Sequence, residues 1–356
     1  MVTGLRLGRN TIIRHYVIEV SSLLIGLTAS ALSQGGIDGY PFEVPADPRS
    51  FAMGESFVAL PSNPAALVYN PAGLAGLSGI HVSYSQRSLA RENDWTLRSF
   101  NAAVGTSFGV FAVQYNRDSY GMLPFTTDET KPPVMNTYDY DVAFGYALLL
   151  GRGFSIGAAA KYYDYAGYIP DPSIASVSTS STTPARLFDV GLVYTFRRFH
   201  SQAVVEDSIT MGMSYQNIGS NPGMNYPGIH MLDFIPAGMP EYFRAGVSYA
   251  LKVIPRKAGD PSPLEAVISG EYRTLQTSGG PDVWGFGLEW TIDEIVSLRM
   301  GGSTQEGENS PLLRYGLGVR LPVRKLGFDL SLQYAVIPWQ NLSAFSIDVQ
   351  YPGGPF

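Results

Sequence analysis

The stretch YDYDVAFGYALLL, residues 138–150, alternates without a break. Tyr138, Tyr140, Val142, Phe144, Tyr146 and Leu148 share one face of an extended chain, and Asp139, Asp141, Ala143, Gly145 and Ala147 share the other. Period two marks a β-strand with two unlike faces. Here one face is apolar and aromatic, and the other is small or acidic.

The pattern recurs along the chain. Phe188, Val190, Leu192, Tyr194 and Phe196 alternate with Asp189, Gly191 and Thr195. Trp284, Phe286, Leu288 and Trp290 alternate with Gly285, Gly287 and Glu289. Leu313, Tyr315, Leu317, Val319 and Leu321 alternate with Arg314, Gly316, Gly318 and Arg320, and similar rows start at Phe243, Phe328 and Phe345. Weaker candidates bring the total to about fourteen strands of roughly 8–13 residues, near the length a tilted strand needs to cross a bilayer. The expected spans are 80–88, 97–105, 109–117, 137–150, 154–165, 185–198, 208–217, 242–253, 264–273, 282–292, 295–302, 312–322, 326–336 and 344–351. Connections tend to alternate long and short. Asp118–Asn136, Ala166–Pro184 and Ile218–Glu241 are long, whereas Gly151–Gly153, Asp293-Glu294 and Val323–Lys325 are tight. Outer-membrane barrels have long loops on one side and short turns on the other.

Composition agrees. Charged residues make up 15% of the 356, against about 25% in ordinary domains, and the chain holds 22 Tyr, 18 Phe and 39 Gly. A sheet in lipid must close, because an open edge leaves backbone groups unpaired. The expected fold is therefore all-β: an antiparallel transmembrane barrel of about fourteen strands, with aromatics such as Tyr138, Trp284, Trp290 and Tyr351 near strand ends. A secreted sandwich or propeller is the alternative, but no clean repeat of about 40 residues supports a propeller.

Ahead of the strands, residues 1–33 read as a secretory signal. Arg6, Arg9 and Arg14 precede the apolar run Val20–Leu27, and Ala31-Leu32-Ser33 fits a small-x-small cleavage site. Export to the cell outer membrane through a cleaved signal follows. Residues 34–79 then form the N-terminal plug, and residues 80–356 the barrel. Within the plug, Asn-Pro occurs at Asn63-Pro64 and at Asn70-Pro71. Asn caps a helix start and Pro suits its first position, so short helical turns are expected over Pro64–Tyr69 and Pro71–Leu77. Helices this short need a wall to pack against, and the barrel interior supplies one.

The plug sequence carries a resemblance. Asp47-Pro48-Arg49-Ser50-Phe51-Ala52-Met53-Gly54-Glu55-Ser56-Phe57-Val58-Ala59, followed by Ala66-Leu67-Val68-Tyr69-Asn70-Pro71-Ala72-Gly73-Leu74-Ala75, resembles the N-terminal signature of the PorV/PorQ outer-membrane family, itself similar to FadL-type transporters. Glu55 stands where that family commonly has Gly. The resemblance implies a fourteen-stranded barrel with an N-terminal plug. It also implies one of two roles. PorV-like members act in type IX protein secretion as partners for exported cargo, and FadL-like members gate a route for hydrophobic small molecules such as fatty acids. The Asn-Pro-Ala-Gly-Leu core is common to both.

Three sets of candidate site residues follow. The plug motif comprises Met53, Gly54, Asn63, Pro64, Asn70, Pro71, Ala72, Gly73 and Leu74. Charges expected on the lumen face are the bases Arg98, Lys161, Arg244, Arg273, Arg299, Arg314 and Arg320, with the acids Asp139, Asp141, Asp189, Glu265, Glu271, Glu289, Asp329 and Asp348. Mixed signs suit ion pairs bracing lumen and plug better than a single-sign selectivity ring. The long loops add an apolar surface: Tyr120, Leu123, Phe125, Met224, Tyr226, Met231, Leu232 and Phe234. It is read either as loops folded over the mouth or as a contact surface for a hydrophobic ligand or a protein.

Other classes find little support. Cysteine is absent, and His15, His81, His200 and His230 are scattered, so neither a metal site nor a thiol nucleophile is expected. No convergent set of Ser, His and Asp is visible, and neither catalysis nor a cofactor is expected. Net charge is −6 without a basic block, which argues against nucleic acid. The expected partners are outer-membrane lipid, with secretion-system proteins and exported cargo or a hydrophobic small-molecule ligand.

Overall fold

The computed structural model describes residues 47–60, 63–89, 96–124, 134–168, 178–199, 205–220, 223–224, 239–253, 261–276, 282–305, 312–323, 325–338 and 342–352. The expected signal, His15, His200 and His230 lie outside these residues. The strands are β1 (Ile80–Leu89), β2 (Thr96–Thr106), β3 (Gly109–Pro124), β4 (Val134–Gly151), β5 (Phe154–Tyr168), β6 (Ser178–Thr183), β7 (Ala185–Phe199), β8 (Val205–Gly219), β9 (Gly223–Met224), β10 (Tyr242–Val253), β11 (Leu264–Leu275), β12 (Val283–Ile292), β13 (Val296–Gln305), β14 (Leu312–Val323), β15 (Phe328–Ile337) and β16 (Leu342–Tyr351).

Fourteen of them form a closed antiparallel ring, and β6 and β9 add a short flap beyond the end of β5. Each ring strand pairs with its neighbour in sequence, and β1 closes the ring against β16, from Ile80 opposite Tyr351 to Leu89 opposite Leu342. The fourteen strands expected from alternation are the fourteen of the ring.

The outer wall is apolar. Phe144, Phe188, Phe196, Met211, Trp284, Leu317, Tyr334 and Phe345 all stand exposed on it. The residues between them point inward and are buried or half-buried. A closed sheet wrapped in apolar side chains is the form in which strands cross a membrane, and the protein is a transmembrane barrel of the outer-membrane type.

Three expected boundaries are corrected. The segment 118–136 is not simply a loop, because β3 and β4 continue as a paired hairpin to Pro124 and Val134, past an irregularity between Ser119 and Met122. Likewise β5 runs on to Tyr168 and β6 pairs with it inside the segment expected to be a loop. β8 reaches Gly219. In each case pairing with the partner strand outlasts the apolar alternation, which ends where the wall leaves lipid.

Candidate functional site

Residues 47–60 and 63–79 lie inside the ring. They hold three short helical pieces: Pro48–Ala52, Ala66–Tyr69 and a 3₁₀ turn at Pro71–Gly76. The second starts later than expected, because Asn63 Oδ1 takes the Ala65 N–H (2.8 Å) and the chain enters the helix only after that turn. The first was not anticipated, although Asp47-Pro48 carries the same cap-then-proline chemistry. The Asp47 carboxylate accepts from Ser50 N at 2.8 Å.

Apolar packing seats the plug. Phe51, Met53, Phe57, Leu67, Tyr69 and Leu74 are all at most 1% exposed. Leu67, Leu74 and Leu77 pack on wall residues kept small: Ala103, Ala112, Ala143, Ala147 and Ala159. Phe51 and Ala52 pack against Ala335, Ile337, Leu342 and Ala344. Each large side chain so buried contributes about 1.5–3 kcal/mol. Glycines on the inner face let the plug backbone touch the wall. A Cβ at Gly285 would lie 2.6 Å from Gly54 O, and one at Gly287 would lie 2.6 Å from Met53 O.

Three carboxylates then fix the plug. Glu271 accepts from Phe57 N (2.7 Å) and Val58 N (2.8 Å), and is itself held by Arg244 at 2.7 Å. Glu289 receives Arg49 of the plug through two bonds, 2.9 and 2.7 Å, and also binds Arg299. The third runs in the opposite sense, with Glu55 of the plug reaching Arg314 at 2.7 Å and Arg273 at 3.5 Å. Burial alone would push the Glu55 carboxyl up, but Arg314, Arg273 and Arg87 draw it down to about 2. Gly54 and Glu55 both take positive φ, 65° and 61°. That conformation favours glycine, and the two arginines offset its strain at Glu55. Arg87 and Arg314 also lie over the Phe51 ring, at 4.2 and 4.9 Å.

Asn70 has two functions. Its Oδ1 caps the 3₁₀ turn through Ala72 N (3.1 Å), while its Nδ2 donates to Val58 O (2.9 Å) and to Leu192 O of the wall (3.1 Å). Asn70→Ala removes all three bonds and is expected to cost about 2–3 kcal/mol of plug docking. Asn70→Asp keeps the cap acceptor but sets a buried carboxylate oxygen against the carbonyls of Val58 and Leu192, so it should cost at least as much as Asn70→Ala. Protease sensitivity of the plug in detergent, compared across the three proteins, checks this order.

Most of the other expected lumen charges also face inward. Lys161 pairs with Asp189 at 2.6 Å, Lys252 joins Glu265 to Glu294, and Arg320 binds Asp329. Asp139 accepts from Tyr163 (2.9 Å), Asp141 from Asn116 (3.0 Å), and Asp348 from Gln333 (2.7 Å). Arg98 is different. It stands exposed on the outer wall, next to exposed Phe100 one row down, because the inward set of β2 is Leu97, Ser99, Asn101 and Ala103. The alternation of β2 is weak in sequence, and its parity was misassigned by one residue. Of the apolar loop set, Tyr120 and Leu123 fall on the extension of β3 and Met224 on β9, whereas Phe125, Tyr226, Met231, Leu232 and Phe234 lie outside the described residues. Sequence reasoning missed Arg49, Arg87 and Gln216, whose Oε1 accepts from Arg244 Nε at 2.7 Å, and it placed the wall glycines on the inner face without their contact to the plug backbone. For the glycines a signal was available in their spacing: they fall on the inward parity of successive strands.

The lumen differs on the two sides of the plug. On the short-turn side lies a cavity of about 340 Å³ lined by Arg49, Asn63, Lys252, Glu265, Glu289, Glu294, Arg299, Arg320 and Asp348. On the long-loop side the inner wall is mixed. Tyr163, Ala185, Leu187 and Met239 form a buried apolar cluster, whereas the inward row that holds Leu97 also carries Arg87, Asp118 and Asp139. Ile337 and Leu342 lie under Phe51 and Ala52 of the plug. Among the described residues no group of His, Asp and Glu is placed to hold a metal ion.

No protein-family model matches the chain, and no curated protein matches it in sequence. Solved structures do resemble it in fold. A FadL homologue from Pseudomonas aeruginosa shares 12% identity at a TM-score of 0.49, covering 87% of this chain and 99% of that one. The toluene transporter TbuX of Ralstonia pickettii shares 12% identity at a TM-score of 0.48, covering 85% and 96%. The toluene transporter TodX of Pseudomonas putida shares 12% identity at a TM-score of 0.46, covering 89% and 98%.

Proposed function

We propose that the protein is a plugged outer-membrane channel of the FadL type, admitting hydrophobic small molecules from the long-loop side. The placing of the plug carries this reading. It fills a closed ring and stands between the long-loop mouth and the polar, charged cavity on the short-turn side. A solute entering at the mouth meets the plug before it reaches that cavity. The plug is bound by side chains and packing, not by strand pairing with the wall, so it can shift without opening the ring. A secretion-partner role of the PorV/PorQ kind draws on the plug motif, and the way the plug is held adds nothing to it.

The test is uptake. Cells producing the full chain are expected to accumulate radiolabelled toluene or oleate several-fold faster than cells with an empty vector. Unchanged uptake of both, together with a stoichiometric exported protein purifying with the barrel, would replace this reading with the secretion role.

A further inference from the structure

The misplaced arginine opens a second site, on the outer wall. Strand register sets Gln86 opposite Arg98, Arg98 opposite Arg117, and Arg117 opposite Tyr140. These four form one outward row across β1–β4. The next outward row toward the short turns is Tyr84, Phe100, Tyr115 and Val142, and the one after it is Val82, Ala102, Val113 and Phe144. On the other side the row is Ser88, Thr96, Ser119 and Tyr138. The apolar belt therefore stops at the arginines, which sit where hydrocarbon gives way to lipid headgroups.

Arg98 and Arg117 are both exposed and directly opposite, an arrangement that repels. Neither has a carboxylate partner among the described residues. Arg98 touches only Gln86 Oε1, at 3.4 Å, and Arg117 lies over the Tyr138 ring at 4.3 Å. Two adjacent guanidinium forks match the oxygens of a phosphate, and a dianion between them turns repulsion into attraction. Directly beneath, Phe100 and Tyr115 are 45% and 42% exposed and offer a flat apolar footing.

The geometry points to a lipid site in which Arg98 and Arg117 clasp the phosphate of an outer-leaflet lipid, with its acyl chains on Phe100 and Tyr115. The long-loop side of such barrels faces outward, so the lipid is one of the outer leaflet. The inference rests on the barrel and its register and is independent of what passes through the lumen.

The test uses the full-length protein in nonionic detergent, titrated with diphosphoryl lipid A and followed by native mass spectrometry. Arg98→Gln/Arg117→Gln is expected to weaken binding by about tenfold or more, while Arg98→Lys/Arg117→Lys, which keeps the charge but not the forks, falls between the native and glutamine proteins. A glycolipid lacking phosphate should bind the native protein as poorly as the glutamine variant binds lipid A. Heat-shifted migration on a gel verifies that each variant is folded. Equal binding of lipid A by the native and glutamine proteins overturns the proposal, as does equal binding of the phosphate-free glycolipid. Complete displacement of lipid A by millimolar sodium phosphate also overturns it, since the site would then be one for a free anion.

Discussion

Glu271→Ala is expected to free the plug and raise the conductance of the barrel. The carboxylate is the single acceptor for Phe57 N and Val58 N and the partner of Arg244, a side chain only 1% exposed. Its loss leaves two buried N–H groups without their acceptor and one buried cation without its carboxylate. Breaking a buried ion pair costs about 3–5 kcal/mol, and each orphaned N–H adds about 1–3. The wall strands keep all their ladder bonds, so the loss falls on docking of the plug. Glu271→Gln retains the shape and one acceptor, and its effect should be about half as large. Conductance in planar bilayers reads the result directly, and cleavage of residues 47–79 by added protease reads it independently. An alanine variant that conducts no more than the native protein and stays as protease-resistant would show that the plug is held elsewhere.

The second large effect comes from filling the wall. Gly287→Leu and Gly301→Leu place a side chain where the plug backbone runs: a Cβ at Gly287 lies 2.8 Å from Met53 Cβ, and one at Gly301 lies 2.6 Å from Ala52 O. The obstacle is largely main chain, which cannot rotate aside. Overpacking a core costs about 1–3 kcal/mol where side chains adjust, and more where they cannot, so each variant should dislodge the plug locally. Both substitutions press on the same turn, and their effects should combine less than additively. Gly270 provides the control, because a Cβ there meets nothing within 4 Å. Gly270→Ala should leave conductance unchanged and shift stability by no more than about 0.5 kcal/mol. Equal behaviour of the Gly287 and Gly270 variants would remove the argument that the inner glycines are a mould for the plug.

The wall was legible in sequence because lipid is a simple solvent. Outside, every second residue must be apolar, and rows such as Phe144-Tyr146-Leu148 or Leu313-Tyr315-Leu317 state this without reference to anything distant. The plug was legible as capped turns, since Asn70 and Pro71 act on their immediate neighbours. What could not be read were partners across the lumen. That Arg49 meets Glu289, or that Glu271 receives two plug N–H groups, depends on how fourteen strands wrap, not on local pattern. Arg98 shows the limit in one residue. On β2 the two faces differ little, with Leu97 and Ala103 inward and Ala102 outward, so nothing local fixes which way an arginine points. The ends of β3 and β5 were missed for a related reason, because pairing beyond the membrane leaves no apolar alternation behind.

The seam of the ring joins its first strand to its last. No enclosed interior exists during synthesis until residues 342–351 lie beside residues 80–89. The plug precedes every strand of the ring, and its bonds reach forward to β11, β12 and β14. Contacts that span so much sequence make folding slow. The final strand thus works as a latch on assembly: a chain cut short before it leaves both edges unpaired, and its stopper has no complete vessel to occupy.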